Sequence, residues 1–177
     1  GPRVVPRPRW IGLARLAARE PFRLPLAEIP SGFRNSAVLV AFWPEDDDVC
    51  VVLTRRSSRL AQHAGQTAFP GGRLDAGETW AEAALREAHE EIGLDPRGVE
   101  ILGPLDDAWS GAGHLIVPVV GWLTARPDLR PNPAEVAEIL FARVSELLRP
   151  ESRGTVAVVH RGVHYRNPTL QWRGGDA

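Results

Sequence analysis

The sequence predicts one α/β domain, and three observations carry that reading. Two apolar runs of strand length, residues 37–43 and 49–54, flank an acidic turn at 44–48. A capped amphipathic helix then lies between Thr79 and Gly93. After it, β-branched runs recur with turn residues between them.

In chain order, residues 2–9 alternate Pro and Arg around Val4-Val5 and read as an extended basic arm. Residues 11–19 form a short amphipathic helix candidate, closed by Pro21. The domain core begins near Ser36, which divides the chain into an arm with a short helix (1–35) and a domain (36–177). The strand pair 37–43 and 49–54 is a hairpin with a loose loop. A polar loop at 55–65 leads to a short strand at 66–69. In the helix, Thr79 is the N-cap and Glu82 stands three positions later, a capping box. Ala81, Ala84, Leu85, Ala88 and Ile92 recur at helical spacing as one apolar stripe, and Gly93 supplies the left-handed stop. Strands are expected at 99–102, 115–123 and 139–144, and then a short helix at 145–148. A last strand, 155–160, pairs with 163–165.

Composition narrows the function classes. The 177 residues carry a net charge of -1, which argues against a large nucleic-acid footprint, and the six Trp lack basic interleaving. No run approaches the ~20 apolar residues of a membrane span, and no signal-peptide pattern is read at the start of the sequence. Cys50 is alone, so a disulfide framework and a four-thiolate zinc site are both excluded, and a reducing, cytoplasmic location is expected. All 21 basic residues are Arg, which reads as coding bias. Met is absent, so the natural start is expected to have been removed or trimmed.

Glu87, Glu90 and Glu91 stand at i, i+3 and i+4, which puts three carboxylates on one helix face. Such a face is either solvated or a site for hard divalent cations, which take carboxylate oxygens and water. The stripe of Ala81, Ala84 and Ala88 lets the helix back lie close to a sheet and hold the acids outward. Ahead of the helix, the pair Gly71-Gly72 permits a tight turn and presents bare peptide groups. Arg86 can pair with Glu78 across the loop–helix junction, or with Glu90 along the helix.

With these residues in place the chain resembles a Nudix hydrolase. Gly72, Glu78, Arg86, Glu87, Ala88, Glu90, Glu91, Gly93 and Leu94 match that family's signature with every spacing intact. The resemblance implies an α/β/α sandwich around a mixed sheet, with the motif folded as loop–helix–loop. It implies that Glu87, Glu90, Glu91 and the carbonyl of Gly72 bind Mg²⁺ or Mn²⁺, while Glu78 and Arg86 are structural partners. Glu90 or Glu91 could double as general base. Many members draw a further glutamate from outside the motif, and Glu135 and Glu138 are the candidates, with an exposed helix or strand start as their plain alternative.

The segment 53–72, with Leu53-Thr54, Arg55-Arg56-Ser57, Leu60, His63, Gly65 and Phe69-Pro70-Gly71-Gly72, is similar to the motif that precedes the box in coenzyme A diphosphatases. That resemblance implies a small-molecule, coenzyme A-like nucleotide as substrate, split into 3′,5′-ADP and 4′-phosphopantetheine. Arg55, Arg56 and Arg59 suit the 3′-phosphate, because guanidinium forks match phosphate oxygens. His63 either donates to a phosphate or caps the loop, and Gly71 is expected on the substrate side. Many members of that branch carry Asp at the position of Glu78. Family chains continue past the point where this one reaches Ala177, so a shortened C-terminal segment is expected. The alternatives are another nucleoside diphosphate derivative (ADP-ribose, NADH or a nucleoside triphosphate) or a catalytically silent nucleotide-binding module. Neither nucleic acid nor membrane is an expected partner, and the protein is expected as a monomer or homodimer.

Overall fold

Strand β1 (Arg34–Glu45) organises the sheet, because it is paired along both edges. The computed structural model describes residues 20–21, 23, 32, 34–58, 65–110, 113–160, 163–172 and 175–176. On one edge β1 runs parallel to β7 (His114–Trp122), from Arg34↔His114 to Phe42↔Trp122. On the other edge it meets two antiparallel partners in succession. These are β4 (Gly71–Arg73) at Ser36–Val38 and β2 (Asp48–Arg56) at Phe42–Glu45. Beyond β2 lie β3 (Thr67–Ala68) and β8 (Val136–Arg143); beyond β7 lie β5 (Glu100–Pro104) and β6 (Ala108–Ser110). One parallel pair among antiparallel ones makes the sheet mixed, as the α/β expectation requires.

The period of two along β1 assigns its two faces. Ala37, Leu39, Ala41 and Trp43 point to one side, with Cys50 and Val52 of β2, and pack under helix α1 (Trp80–Ile92). Ala83, Ala84, Ala88 and Ile92 of α1 are fully buried there, while Ala81 and Leu85 are partly buried at its rim. The apolar stripe is therefore broader than the spacing analysis put it. Small residues let the helix axis approach the sheet, and losing Ile92 to alanine would destabilise the fold by about 2–5 kcal/mol. The opposite face holds Val40, Val51, Leu53, Leu140 and Ala142. Among the described residues it is closed by Leu147 of α2 (Val144–Leu147) and Trp172 of β10 (Val163–Trp172). β10 pairs with β9 (Arg153–His160) and β11 (Gly175–Asp176) in a separate three-stranded sheet.

The helix begins and ends as its sequence dictates. Thr79 accepts from the Glu82 amide and the Glu82 carboxylate accepts from the Thr79 amide, while Gly93 closes the helix at φ 68°. Other expectations shift. β2 runs on to Arg56, so Arg55 and Arg56 are strand residues and not loop residues, because β3 and β8 satisfy their backbones. The pair Gly71-Gly72 lies extended in β4, against β1, where a tight turn was expected. β8 starts at Val136 and absorbs Glu138, and β6 forms between the strands expected at 99–102 and 115–123.

The arm at residues 2–9 and the helix at 11–19 lie outside the described residues. Arg23, nearer the domain, is described. Its guanidinium pairs with the buried carboxylate of Asp107, donates to the Leu105 carbonyl at 2.7 Å and stands 5.1 Å over the Trp80 ring. Among the described residues, no helix is long and apolar enough to cross a membrane.

Candidate active site

The loop ahead of α1 is fastened to the helix by Arg86. Its Nε donates to Glu78 Oε1 at 2.8 Å, and Nη2 donates to Glu78 Oε2 at 3.1 Å and to the Arg73 carbonyl at 2.9 Å. Nη1 donates to Glu87 at 3.0 Å and reaches Glu90 at 3.4 Å. Both pairings open to Arg86 in the sequence are thus present. The bidentate bond to Arg86, with the Asp75 amide, holds the Glu78 carboxyl below its ordinary range.

The glycine pair explains how the acids come close to the backbone. At Gly72, an added Cβ would overlap the Glu87 carboxylate; at Gly71 it would strike the Ala37 carbonyl and Val38. The strand lies flush on β1 on one side and on Glu87 on the other, so only hydrogen fits. The Gly71 amide donates to Glu91 Oε2 at 3.1 Å, which turns that group toward an acid and not toward an open cleft.

The three helix carboxylates differ sharply. Glu90 is half exposed, Glu87 is mostly covered, and the Glu91 side chain is 3% exposed. The expectation of an outward acidic face thus fails at Glu91, which follows Ala88 by three residues and so rides the buried stripe. Burial pushes the Glu91 carboxyl up to about 7, against the Gly71 amide and Arg56, with Glu135 and Glu87 adding to the rise. Burial likewise raises Glu87, opposed by Arg86.

Glu135 enters from a different element. Residues 130–135 turn back onto the C-terminal end of α1, where the Arg130 amide donates to the Ile92 carbonyl and the Asn132 amide to the Glu91 carbonyl. The Ser57 amide donates to the Glu135 carbonyl at 2.8 Å, which ties the turn to the end of β2. Glu135 is thereby near enough to Glu87 and Glu91 to raise both. Glu138 is drawn off: it accepts from Arg55 at 3.2 Å. Arg56 stands 3.7 Å from Glu91 through Nη1. Arg59 and His63 lie outside the described residues. Arg130, Asn132 and Ser57 were not expected at the site. Their ties to α1 and to Glu135 are made by backbone groups, Asn132 Oδ1 also accepts from the Ala134 amide, and the Pro131-Asn132-Pro133 turn was the available signal.

Hard oxygen donors, one of them buried among like charges, fit a divalent cation of the Mg²⁺ or Mn²⁺ type. As they stand, no three His, Cys, Asp or Glu side chains among the described residues close on one ion. Arg86 instead supplies the positive charge between Glu87 and Glu90.

The sequence model of the NUDIX domain matches residues 33–161. The chain belongs to the Nudix family. It is 44% identical over 117 residues to the Nudix hydrolase named NudL of Photorhabdus laumondii, covering 66% of this chain and 63% of that protein. It is 34% identical over 158 residues to Nudix hydrolase 15, mitochondrial, of Arabidopsis thaliana, covering 86% of this chain and 55% of that one. The chain therefore spans roughly three fifths of the length of these curated relatives. Among solved structures, the Nudix hydrolase RenU of M. Smegmatis has the same fold, with a TM-score of 0.56 at 24% identity over 66% of this chain and 77% of that one. So does the NUDIX domain of Shewanella oneidensis NrtR complexed with ADP ribose, with a TM-score of 0.52 at 20% identity over 77% and 86%. Nudix hydrolases generally use divalent ions such as Mg²⁺ or Mn²⁺.

Proposed function

We propose that this Nudix domain hydrolyses the diphosphate linkage of a nucleotide derivative, with coenzyme A or its thioesters as substrate. The observation that carries the hydrolase reading is the intact box, with Glu87 seated on Gly72 and Glu91 on the Gly71 amide. The coenzyme A assignment is supported by the segment 53–72, which ends at that same glycine pair.

Glu87, Glu90, Glu91 and the Gly72 carbonyl would hold Mg²⁺ or Mn²⁺. A bound cation supplies neutralisation of the diphosphate and a more acidic attacking water. The protein's own part is positioning. Arg86 keeps Glu87 in place and joins it to the Glu78 loop. Glu135, held by the Ser57 amide on a separate element, accepts the proton of the attacking water. Displacement at phosphorus then needs alignment and charge stabilisation and little covalent work from side chains.

Purified protein with coenzyme A and Mg²⁺ or Mn²⁺ should release 3′,5′-ADP and 4′-phosphopantetheine, identified by mass spectrometry in ¹⁸O water. Turnover of ADP-ribose or NADH in place of coenzyme A would keep the hydrolase and reject the substrate. Binding of all of them with turnover of none would leave a silent nucleotide-binding module.

A further inference from the structure

Arg56 differs from Arg55 and Arg86 in carrying a buried donor that no acceptor meets among the described residues. Arg86 is saturated by Glu78, Glu87, Glu90 and the Arg73 carbonyl, and Arg55 donates to Glu138. Among the described residues the buried Nε of Arg56 meets no acceptor, and Nη1 lies 3.7 Å from Glu91 Oε1, beyond hydrogen-bond length. A buried donor left unmade is a standing demand for an acceptor. The side chain is 29% exposed, so part of it remains open to solvent while Nη1 stands beside the buried carboxylate.

Its backbone fixes it there. The Arg56 amide donates to the Gln66 carbonyl at 2.9 Å, its carbonyl accepts from the Gly65 amide at 3.1 Å, and it pairs with Val136 of β8. The next residue, Ser57, is buried and tied to Glu135. Arg56 is thus a strand residue clamped between two neighbours, with its charge directed at the same acids that Glu135 faces.

We infer that Arg56 binds the diphosphate that is cleaved, beside Glu91, and does not read the 3′-phosphate; the inference rests on the proposed coenzyme A reading. In coenzyme A the diphosphate hangs from the 5′ carbon of the ribose and the third phosphate from the 3′ carbon. A guanidinium held at Glu91 serves the group that reacts there. Its planar fork donates to two phosphate oxygens at once and offsets charge that the carboxylates repel.

The test compares R56A and R56K with wild type on coenzyme A and on dephospho-coenzyme A, which lacks the 3′-phosphate. R56A should lower kcat/KM about a hundredfold on both substrates alike, with partial recovery in R56K. A loss confined to coenzyme A, or no loss, overturns the inference. If wild type cleaves neither compound, the substrate assignment fails by itself, and the variants are compared on ADP-ribose, which also lacks a 3′-phosphate. There a loss upholds the role of Arg56 and an unchanged rate rejects it. Mn²⁺ binding, followed by electron paramagnetic resonance, should be no weaker in R56A, because a positive charge beside Glu91 has gone. Weaker binding would mean that Arg56 acts by building the acid cluster, which also overturns the inference.

Discussion

Two walls face each other across the acidic centre, and they are built in different ways. The wall formed by β4 and α1 is fixed by side chains: Arg86 makes hydrogen bonds to three glutamates and a carbonyl, and Gly72 leaves no space between backbone and Glu87. The facing wall, from the end of β2 and the turn at 130–135, is fixed by backbone amides and leaves Arg56 with unused donors. The first wall has one arrangement and suits invariant chemistry. The second has a fixed frame around Arg56, whose proposed part is to meet the diphosphate itself.

Four variants sharpen or break that contrast. The largest effect is expected on the first wall: E91Q should lower turnover about a thousandfold with the fold intact, and a wild-type rate would remove Glu91 from the reaction. The same residue gives a pH effect in metal-free protein. Its carboxyl is raised from 4.5 to about 7 on folding, so the folded state holds that proton more tightly than the unfolded chain does. Stability is thus intact below about pH 4.5 and falls by roughly 3 kcal/mol as pH rises through about 7. In chelator, E91Q should melt higher than wild type near pH 8 and close to it near pH 5. A lower melting point at pH 8 would mean that Arg56 and the Gly71 amide outweigh burial. Next, G72A should displace Glu87 and lower kcat roughly a hundredfold, since small misplacements at a reacting centre have large effects. The smallest change is expected at Glu138, where E138Q should lower kcat little, while E135Q should lower it about a hundredfold. Equal losses in the two would cancel the distinction between them.

What the sequence revealed follows the range of the forces involved. The capping box, the Gly93 stop and the alternation of Ala37, Leu39, Ala41 and Trp43 are local and were legible. So was the Glu78–Arg86 pair, because helical spacing and one short loop set it. The burial of Glu91 was missed, because a carboxylate at acidic-face spacing reads as an outward acid until the buried stripe is counted through Ala84, Ala88 and Glu91. The strand character of Arg55 and Arg56 was not legible, since it depends on distant β3 and β8. For the same reason sequence alone left Glu135 and Glu138 equivalent. A register shift opposite Arg55/Arg56 separates them, sending Glu138 to Arg55 and leaving Glu135 with the acids.

The bonds from the Arg130 and Asn132 amides to the last carbonyls of α1 are made by main-chain atoms. Among substitutions at Arg130 or Asn132, only proline removes the donating amide, so other changes leave these two bonds their donors and the interval between Glu91 and Glu135 its frame. The spacing of the two acids is thereby set by the path of the chain and not by the rotamers of the turn.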